Sequence, residues 1–275
     1  MSIIKAIISD ADGTLVNTLY LVRHGQYEAA VDYLLERNVP RHDIPQYEEY
    51  ESYINKSVGG STRETFEKTI RLLFDKTHKH HLDHIDFDEL NERLQPIQDR
   101  IAPLYVHPFY GLTELFGWAG KSGTRLGIFT SGSPHHIVRN FGVSLPALGY
   151  TELFRQKDED EYEKLDAFIE RSKAVYGMQV AIITCDDVTR TKPDPEGILK
   201  LLDNLSVTPE EAIVIGDHAV DMQAAHNAGL HAVGISHGFG TPAELTEAGA
   251  FQVIESLGKL PPLIEGHNSG KSRLF

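Results

Sequence analysis

The sequence predicts an α/β fold built on a parallel sheet, with a block of helices inserted into it. Short apolar runs typical of buried strands recur along the chain, and several are followed by helical patterns. The runs are continuously apolar rather than alternating, which indicates strands covered on both faces. They occupy residues 3–9, 124–130, 179–185, 211–216 and 231–236. Ligands of such sheets bind beyond the carboxyl ends of the strands, so the residues after each run are the candidates for a functional site.

The inserted block lies between the first two predicted strands and has a different pattern. Three amphipathic helices are predicted there, over 24–38, 62–76 and 86–101, the last interrupted by Pro96. We therefore expect a core of residues 1–16 and 108–265 and a helical cap of residues 17–107. Residues 266–275 have little apolar surface to bury and are expected to form a mobile tail.

The charge of the chain narrows the classes of partner. Its formal net charge is −14, which repels polyanions and argues against binding to nucleic acid or to an anionic membrane surface. No apolar run reaches the roughly 18 residues of a membrane span, and the start lacks the pattern of a signal peptide. We expect a cytoplasmic protein. A small anionic substrate would need a locally positive site, made by a metal ion, a lysine or helix N-termini.

Two carboxylates, Asp10 and Asp12, come directly after the first predicted strand and are followed by Gly13 and Thr14. By themselves they could be a capping residue and a turn residue, both of which are common before glycine. The next predicted strand ends at Thr130, where Ser133 can cap a helix that has Pro134 at its first position. A hydroxyl, backbone amides and a helix N-terminus together suit an anion such as phosphate.

The third and fourth strand ends add charge of both signs. Lys192 follows the third strand and offers a fixed positive charge, and Asp217 and Asp221 follow the fourth. Four acids at one edge of a sheet would repel one another without a divalent cation, and hard oxygen ligands favour Mg²⁺. The sequence therefore predicts a magnesium and phosphate site at this edge.

These motifs, in this order, resemble those of the haloacid dehalogenase superfamily of phosphohydrolases. The matching elements are DxDGT at residues 10–14, the strand-ending Thr130, Lys192 before a proline-rich helix start, and GDxxxD at residues 216–221. The resemblance spans nearly the whole core. It implies a Rossmann-like core with a helical cap inserted after the first motif.

The resemblance also implies roles for single residues. Asp10 would attack phosphorus and form an aspartyl-phosphate, while Asp12 would protonate the leaving oxygen and later deprotonate water. The ligands of Mg²⁺ would be Asp10, the backbone carbonyl of Asp12, Asp217 and Asp221. The transferred phosphoryl group would be held by Thr130, the amides of Ser131 and Gly132, and Lys192.

The acid at position 12 favours phosphate-ester chemistry, because the dehalogenases and the phosphonoacetaldehyde-cleaving members of the superfamily lack it. We expect a Mg²⁺-dependent phosphatase for a small phosphorylated metabolite, similar to phosphoglycolate phosphatases. One alternative is a sugar phosphomutase of the β-phosphoglucomutase type, which would pass the phosphoryl group to a sugar hydroxyl. A non-catalytic binding protein is a further alternative. The substrate and the oligomeric state stay open.

Three segments outside the motifs have alternative interpretations. In the cap, Arg63 could contact the substrate, with Lys56 a weaker candidate, but both could equally belong to an ordinary helix start. The histidine-rich residues 77–84 are expected to be solvated rather than to bind zinc. The charge-rich residues 155–178 are expected to form the solvated face of a helix.

Overall fold

The computed structural model describes residues 2–57, 62–77, 85–145 and 160–271. The chain divides into two compact units. The larger unit consists of residues 1–17 and 107–275, and the smaller one of residues 18–106. The histidine-rich residues 78–84 and the start of the charge-rich segment, residues 155–159, lie outside the described part of the chain.

The larger unit contains a six-stranded sheet whose neighbouring strands are all parallel, in the order β5-β4-β1-β6-β7-β8. This confirms the predicted α/β fold. A separate antiparallel pair is formed by β2 and β3. The strands are β1 Ala6–Ser9, β2 Val16–Asn17, β3 His107–Pro108, β4 Arg125–Phe129, β5 Val180–Ile183, β6 Ala212–Gly216, β7 His231–Ile235 and β8 Gln252–Ile254.

The smaller unit is helical, with a buried apolar cluster of its own. Its helices are α1 Leu19–Glu36, α2 Tyr47–Ser57, α3 Thr62–Thr77 and α4 Phe87–Tyr105. The predicted interruption at Pro96 was wrong, because α4 continues through it. Proline removes one backbone hydrogen bond, but continuing the helix beyond it buries Ile101 on the side of α4 that also buries Leu90 and Leu94.

Helices of the larger unit cover both faces of its sheet. They are α5 Leu112–Ser122, α6 Pro134–Ser144, α7 Glu161–Tyr176, α8 Glu196–Leu205, α9 Ala219–Asn227, α10 Pro242–Glu247 and α11 Leu260–Asn268. Successive strand residues point to opposite faces. Ile7 accordingly packs in one apolar cluster with Phe116, and Ile8 packs in another with Leu201. This two-sided burial explains the continuously apolar strand pattern.

The expectation of a mobile tail from residue 266 was wrong for its first residues, which belong to α11. His267 is buried, and its ring Nε2 lies 3.0 Å from the carbonyl oxygen of Ser2. The side chain of Asn268 accepts from the amide of Ile4 at 2.8 Å and donates to its carbonyl at 3.0 Å. These polar contacts, which apolar content alone could not indicate, hold the helix against the residues that precede β1.

No helix is both long and apolar enough to cross a membrane within the described ranges.

Two glycines of α5 give a matched test of how closely this helix is packed. A Cβ added at Gly120 would lie 1.7 Å from the carbonyl oxygen of Tyr176, whereas one added at Gly117 meets no atom within 4 Å. Gly120→Ala should therefore lower the free energy of unfolding by about 1–3 kcal/mol, because backbone must move. Gly117→Ala should raise it by up to about 1 kcal/mol, because alanine favours the helix. Urea denaturation of both variants measures the difference, and equal effects would contradict the packing.

Candidate active site

Parallel pairing brings the predicted motifs to one edge of the sheet. Strand β1 lies between β4 and β6, so Asp10, Thr130 and Asp217 leave the sheet side by side. The amide of Asp10 donates to the carbonyl of Ile215 at 3.0 Å, and the amide of Thr130 donates to that of Ile183 at 3.1 Å. Both residues are therefore anchored by the strands next to them while their side chains lie just beyond the carboxyl ends.

Three carboxylates meet at this edge. Asp10, Asp217 and Asp221 each place one carboxylate oxygen within 4.8 Å of the other two. The ammonium of Lys192 forms ion pairs with Oδ1 of Asp10 and, at 2.8 Å, with Oδ1 of Asp221. The side chains of Lys192 and Asp221 are each only 4% exposed, and that of Asp10 is 10% exposed. One buried ammonium thus faces three carboxyl groups.

The pKa values of these groups reflect their burial and the excess of carboxyl groups over positive charge. Burial raises the pKa of Asp10 well above its usual value despite the opposing charge of Lys192. Burial and the neighbouring charge of Asp221 raise the pKa of Asp217 to about 7. For Lys192, burial favours the neutral amine, but the charges of Asp10 and Asp221 prevail and raise its pKa above the ordinary value. Lys192 therefore stays charged, while negative charge at the carboxylates is only partly compensated.

The donor set fits a divalent cation. Carboxylate oxygens are the hard ligands that such ions prefer, and these three converge from two adjacent strand ends and the helix that follows one of them. A bound cation would balance the charge that Lys192 leaves uncompensated. Burial first, and then the neighbouring carboxylates, raise the pKa values of Asp10 and Asp217, and a bound cation would oppose this rise.

Asp217 is held from two sides by contacts that the sequence analysis missed. The hydroxyl of Thr14 donates to its Oδ1 at 2.8 Å, and the amide of Phe239, in the loop after β7, donates to its Oδ2 at 2.7 Å. A Cβ at Gly13 would lie 2.4 Å from this Oδ2, and one at Gly238 would lie 2.0 Å from it. Glycines on both sides of Phe239 in the sequence were the available indication that backbone approaches the site closely here.

Asp12 has a different environment from Asp10. Its Oδ1 accepts a hydrogen bond from Nδ2 of Asn140 in α6 at 2.7 Å. Asn140 is 2% exposed, and the sequence analysis did not identify it. Among the described contacts, Asp10 is thus paired with Lys192, whereas Asp12 accepts from the amide of Asn140.

Comparison with known proteins identifies the family. A model of the haloacid dehalogenase-like hydrolases matches residues 4–229, a span that includes all four motifs. The chain belongs to this family. The match confirms the resemblance inferred from the sequence and makes the chain a hydrolase of haloacid dehalogenase type.

Relatives extend over nearly the whole chain. The pyrophosphatase PpaX of Bacillus mycoides is 23% identical over 273 residues, which cover 96% of this chain and 99% of the relative. PpaX of Anoxybacillus flavithermus is 25% identical over 235 residues, which cover 85% and 84% of the two chains.

Solved structures share the fold. A predicted phosphoglycolate phosphatase from Haemophilus somnus aligns with a TM-score of 0.68 at 17% identity, covering 94% of this chain and 97% of that one. CbbY from Rhodobacter sphaeroides, in complex with phosphate, aligns with a TM-score of 0.60 at 21% identity, covering 94% and 96%.

The predicted phosphate loop of this haloacid dehalogenase-like hydrolase leads directly into α6. Ser133 is the N-cap residue and Pro134 the first residue of the helix, as predicted. Thr130 is buried, and its Oγ1 accepts from the amide of Gly132 at 2.9 Å. The carbonyl of Gly132 in turn accepts from the amide of Cys185 at 3.1 Å. The loop is thus tied to the end of β5, with Ser131 half-buried between its fixed neighbours.

The two predicted cap residues lie in the smaller unit of the hydrolase. Arg63 is in the first turn of α3, where it is exposed and forms ion pairs with Glu67, at 2.9 Å, and with Asp88. Lys56, near the end of α2, has its ammonium 5.4 Å from the centre of the Tyr53 ring. Residues 58–61 between them lie outside the described part. The guanidinium of Arg63 is therefore engaged by two carboxylates of its own unit.

The raised pKa of Asp217 predicts how stability depends on pH in the metal-free hydrolase. An unfolded aspartate has a pKa of about 3.9, so between this value and about 7 the folded state binds the proton more tightly. The stability from this group is fully present below about pH 4 and is lost as pH rises through about 7. Asp217→Asn should remove this loss, on the order of 1–4 kcal/mol. Urea denaturation in EDTA from pH 4 to 8 measures it, and parallel curves for wild type and variant would be the contrary result.

Proposed function

We propose that this hydrolase is a Mg²⁺-dependent phosphatase, which hydrolyses the phosphate ester of a small metabolite through an aspartyl-phosphate intermediate. The observation that carries the proposal is the position of Asp10, a buried carboxylate at a strand end that is paired with Lys192 and lies next to Asp217 and Asp221. The relatives called pyrophosphatase PpaX, and the fold shared with a predicted phosphoglycolate phosphatase, support phosphoryl chemistry.

The cation would be held by the side chains of Asp10, Asp217 and Asp221 and by the backbone carbonyl of Asp12. When bound, Mg²⁺ supplies positive charge to the carboxylates and to the phosphate oxygens of the substrate. The affinity of this site for a hard cation follows from its three oxygen donors and from the fixed orientation of Asp217 between Thr14 and Phe239.

The chemistry then divides between the two aspartates of the first motif. A carboxylate oxygen of Asp10 attacks phosphorus, the bond from phosphorus to the leaving oxygen breaks, and that oxygen takes a proton from Asp12. Water next attacks the phosphorus of the aspartyl-phosphate while Asp12 accepts its proton. The bond from phosphorus to Asp10 breaks, which releases inorganic phosphate and restores both aspartates to their starting forms.

Positioning of the phosphoryl group is assigned to the second and third motifs. Lys192 already lies against Asp10, so a phosphoryl group bound to Asp10 meets a positive charge at once. Thr130, Ser131 and Gly132 would contribute a hydroxyl and two amides. In the structure the amide of Gly132 donates to Thr130 Oγ1, so phosphate binding would share or replace this hydrogen bond.

Substrate selection is assigned to the smaller unit, with Arg63 and Lys56 as candidate contacts. Arg63 would have to exchange its ion pairs with Glu67 and Asp88 for a substrate anion. Both pairs are exposed, and exposed ion pairs are worth at most about 1 kcal/mol, so the exchange is energetically accessible.

Replacement of the nucleophile tests this proposal. Asp10→Asn should lower the turnover of phosphate esters by at least about 10⁴-fold, because the amide cannot form the aspartyl-phosphate, while the circular dichroism spectrum stays that of the wild type. Release of inorganic phosphate with Mg²⁺ is the measurement, with EDTA as the metal-free blank. Asp203→Asn, an exposed carboxylate on α8, is the matched control and should keep full activity.

Near-normal turnover by Asp10→Asn would refute the assignment of the nucleophile. If wild-type protein consumes the ester but releases little phosphate, the phosphoryl group is passed to another hydroxyl, as in a phosphomutase, and the proposed hydrolysis is wrong.

A further inference from the structure

A short chain of hydrogen bonds runs from a buried arginine to the proposed acid. Arg139 and Asn140 are neighbours in α6, and each is only 2% exposed. Nε of Arg139 donates to Oδ1 of Asn140 at 2.9 Å, and Nδ2 of Asn140 donates to Oδ1 of Asp12 at 2.7 Å. Buried side-chain contacts of this length are well within the range of good hydrogen bonds.

The arginine decides which way round the asparagine amide lies. A guanidinium has only donors, so the atom of Asn140 that faces Arg139 must be the carbonyl oxygen. The amide nitrogen, which also only donates, is thereby turned toward Asp12. The atom of Asp12 that faces it, Oδ1, must therefore accept this hydrogen bond. Arg139 thus determines, through the side chain of Asn140, that Asp12 is met by a hydrogen-bond donor.

We propose that Asn140, oriented by Arg139, is a positioning residue that fixes the carboxyl group of Asp12 by donating to its Oδ1. This rests on the proposed phosphatase function and deepens it. In the first displacement the proton moves from the Asp12 carboxyl group to the leaving oxygen as its bond to phosphorus breaks. In the second, the Asp12 carboxylate takes the proton back from the attacking water.

The position of Asn140 in the fold makes this arrangement rigid. Helix α6 begins at Pro134, directly after the phosphate loop, and Asn140 lies about two turns further along the same helix. The same helix thus holds the phosphoryl-binding loop at its start and the partner of Asp12 in its interior. Asp12 is thereby oriented relative to the phosphoryl group that its proton must serve.

The test compares two esters that differ in their need for an acid. Phenyl phosphate has a poor leaving group that requires a proton, whereas 2,4-dinitrophenyl phosphate releases a stable anion. With enzyme in excess, Asn140→Leu should slow phenol release by about 10- to 100-fold and dinitrophenol release by less than about 3-fold. Arg139→Met, which lets the amide of Asn140 turn over, should show the same selective loss.

Ser144→Ala is the matched control, because it changes a buried residue of the same helix whose hydroxyl has no hydrogen-bond partner among the described residues. It should leave both rates unchanged. Equal losses on the two esters in Asn140→Leu would show that the residue serves folding alone, and no loss on either would show that Asp12 needs no such partner. Both results would overturn the inference. If wild-type protein cleaves no phosphate ester, these two and phosphorylated metabolites included, the proposed function fails and the inference falls with it.

Discussion

Charge at the carboxyl end of the central strands constrains this protein more than any other feature. Among the residues that the structure describes, three carboxyl groups share a buried space with the ammonium of Lys192, which pairs with two of them. Burying carboxylates is costly unless charge and hydrogen bonds compensate. The structure compensates in part, through Lys192 and through donors to Asp217, and a divalent cation would complete the balance. The neighbouring carboxylates keep Lys192 charged, and Lys192 in turn gives Asp10 a positive neighbour.

Close backbone approach is what allows so many groups to converge. Gly13 and Gly238 lie on two sides of the Asp217 carboxylate, where any Cβ would overlap it. Gly216 likewise leaves space for Asp221, whose carboxyl carbon would lie 2.4 Å from a Cβ added at Gly216. Gly13 also has a φ of +87°, which a residue with a side chain rarely adopts. Glycine at these positions leaves the space that the carboxyl groups of Asp217 and Asp221 occupy.

The sequence predicted the residues that follow strands well, and predicted packing partners poorly. Asp10, Thr130, Lys192 and Asp217 each follow a recognisable apolar run, and parallel pairing is enough to bring such positions together. Asn140 lies within a helix and Phe239 acts through its backbone amide, so neither has a local pattern that marks a role. In the fold, the short edge strand β8 and helix α2 were missed. The interruption predicted at Pro96 was wrong, because burial of one face of α4 stabilises the helix by more than the proline destabilises it.

The central claim of this account is that Asp10 carries the phosphoryl group between the two displacements. Mixing the protein with excess phosphate ester and Mg²⁺, quenching in acid and mapping the peptides by mass spectrometry tests it most directly. We expect one added phosphoryl group on the peptide that contains Asp10, located on that residue. A phosphoryl group on another residue would contradict this claim. Product formation in the first catalytic cycle without any labelled peptide would also contradict it.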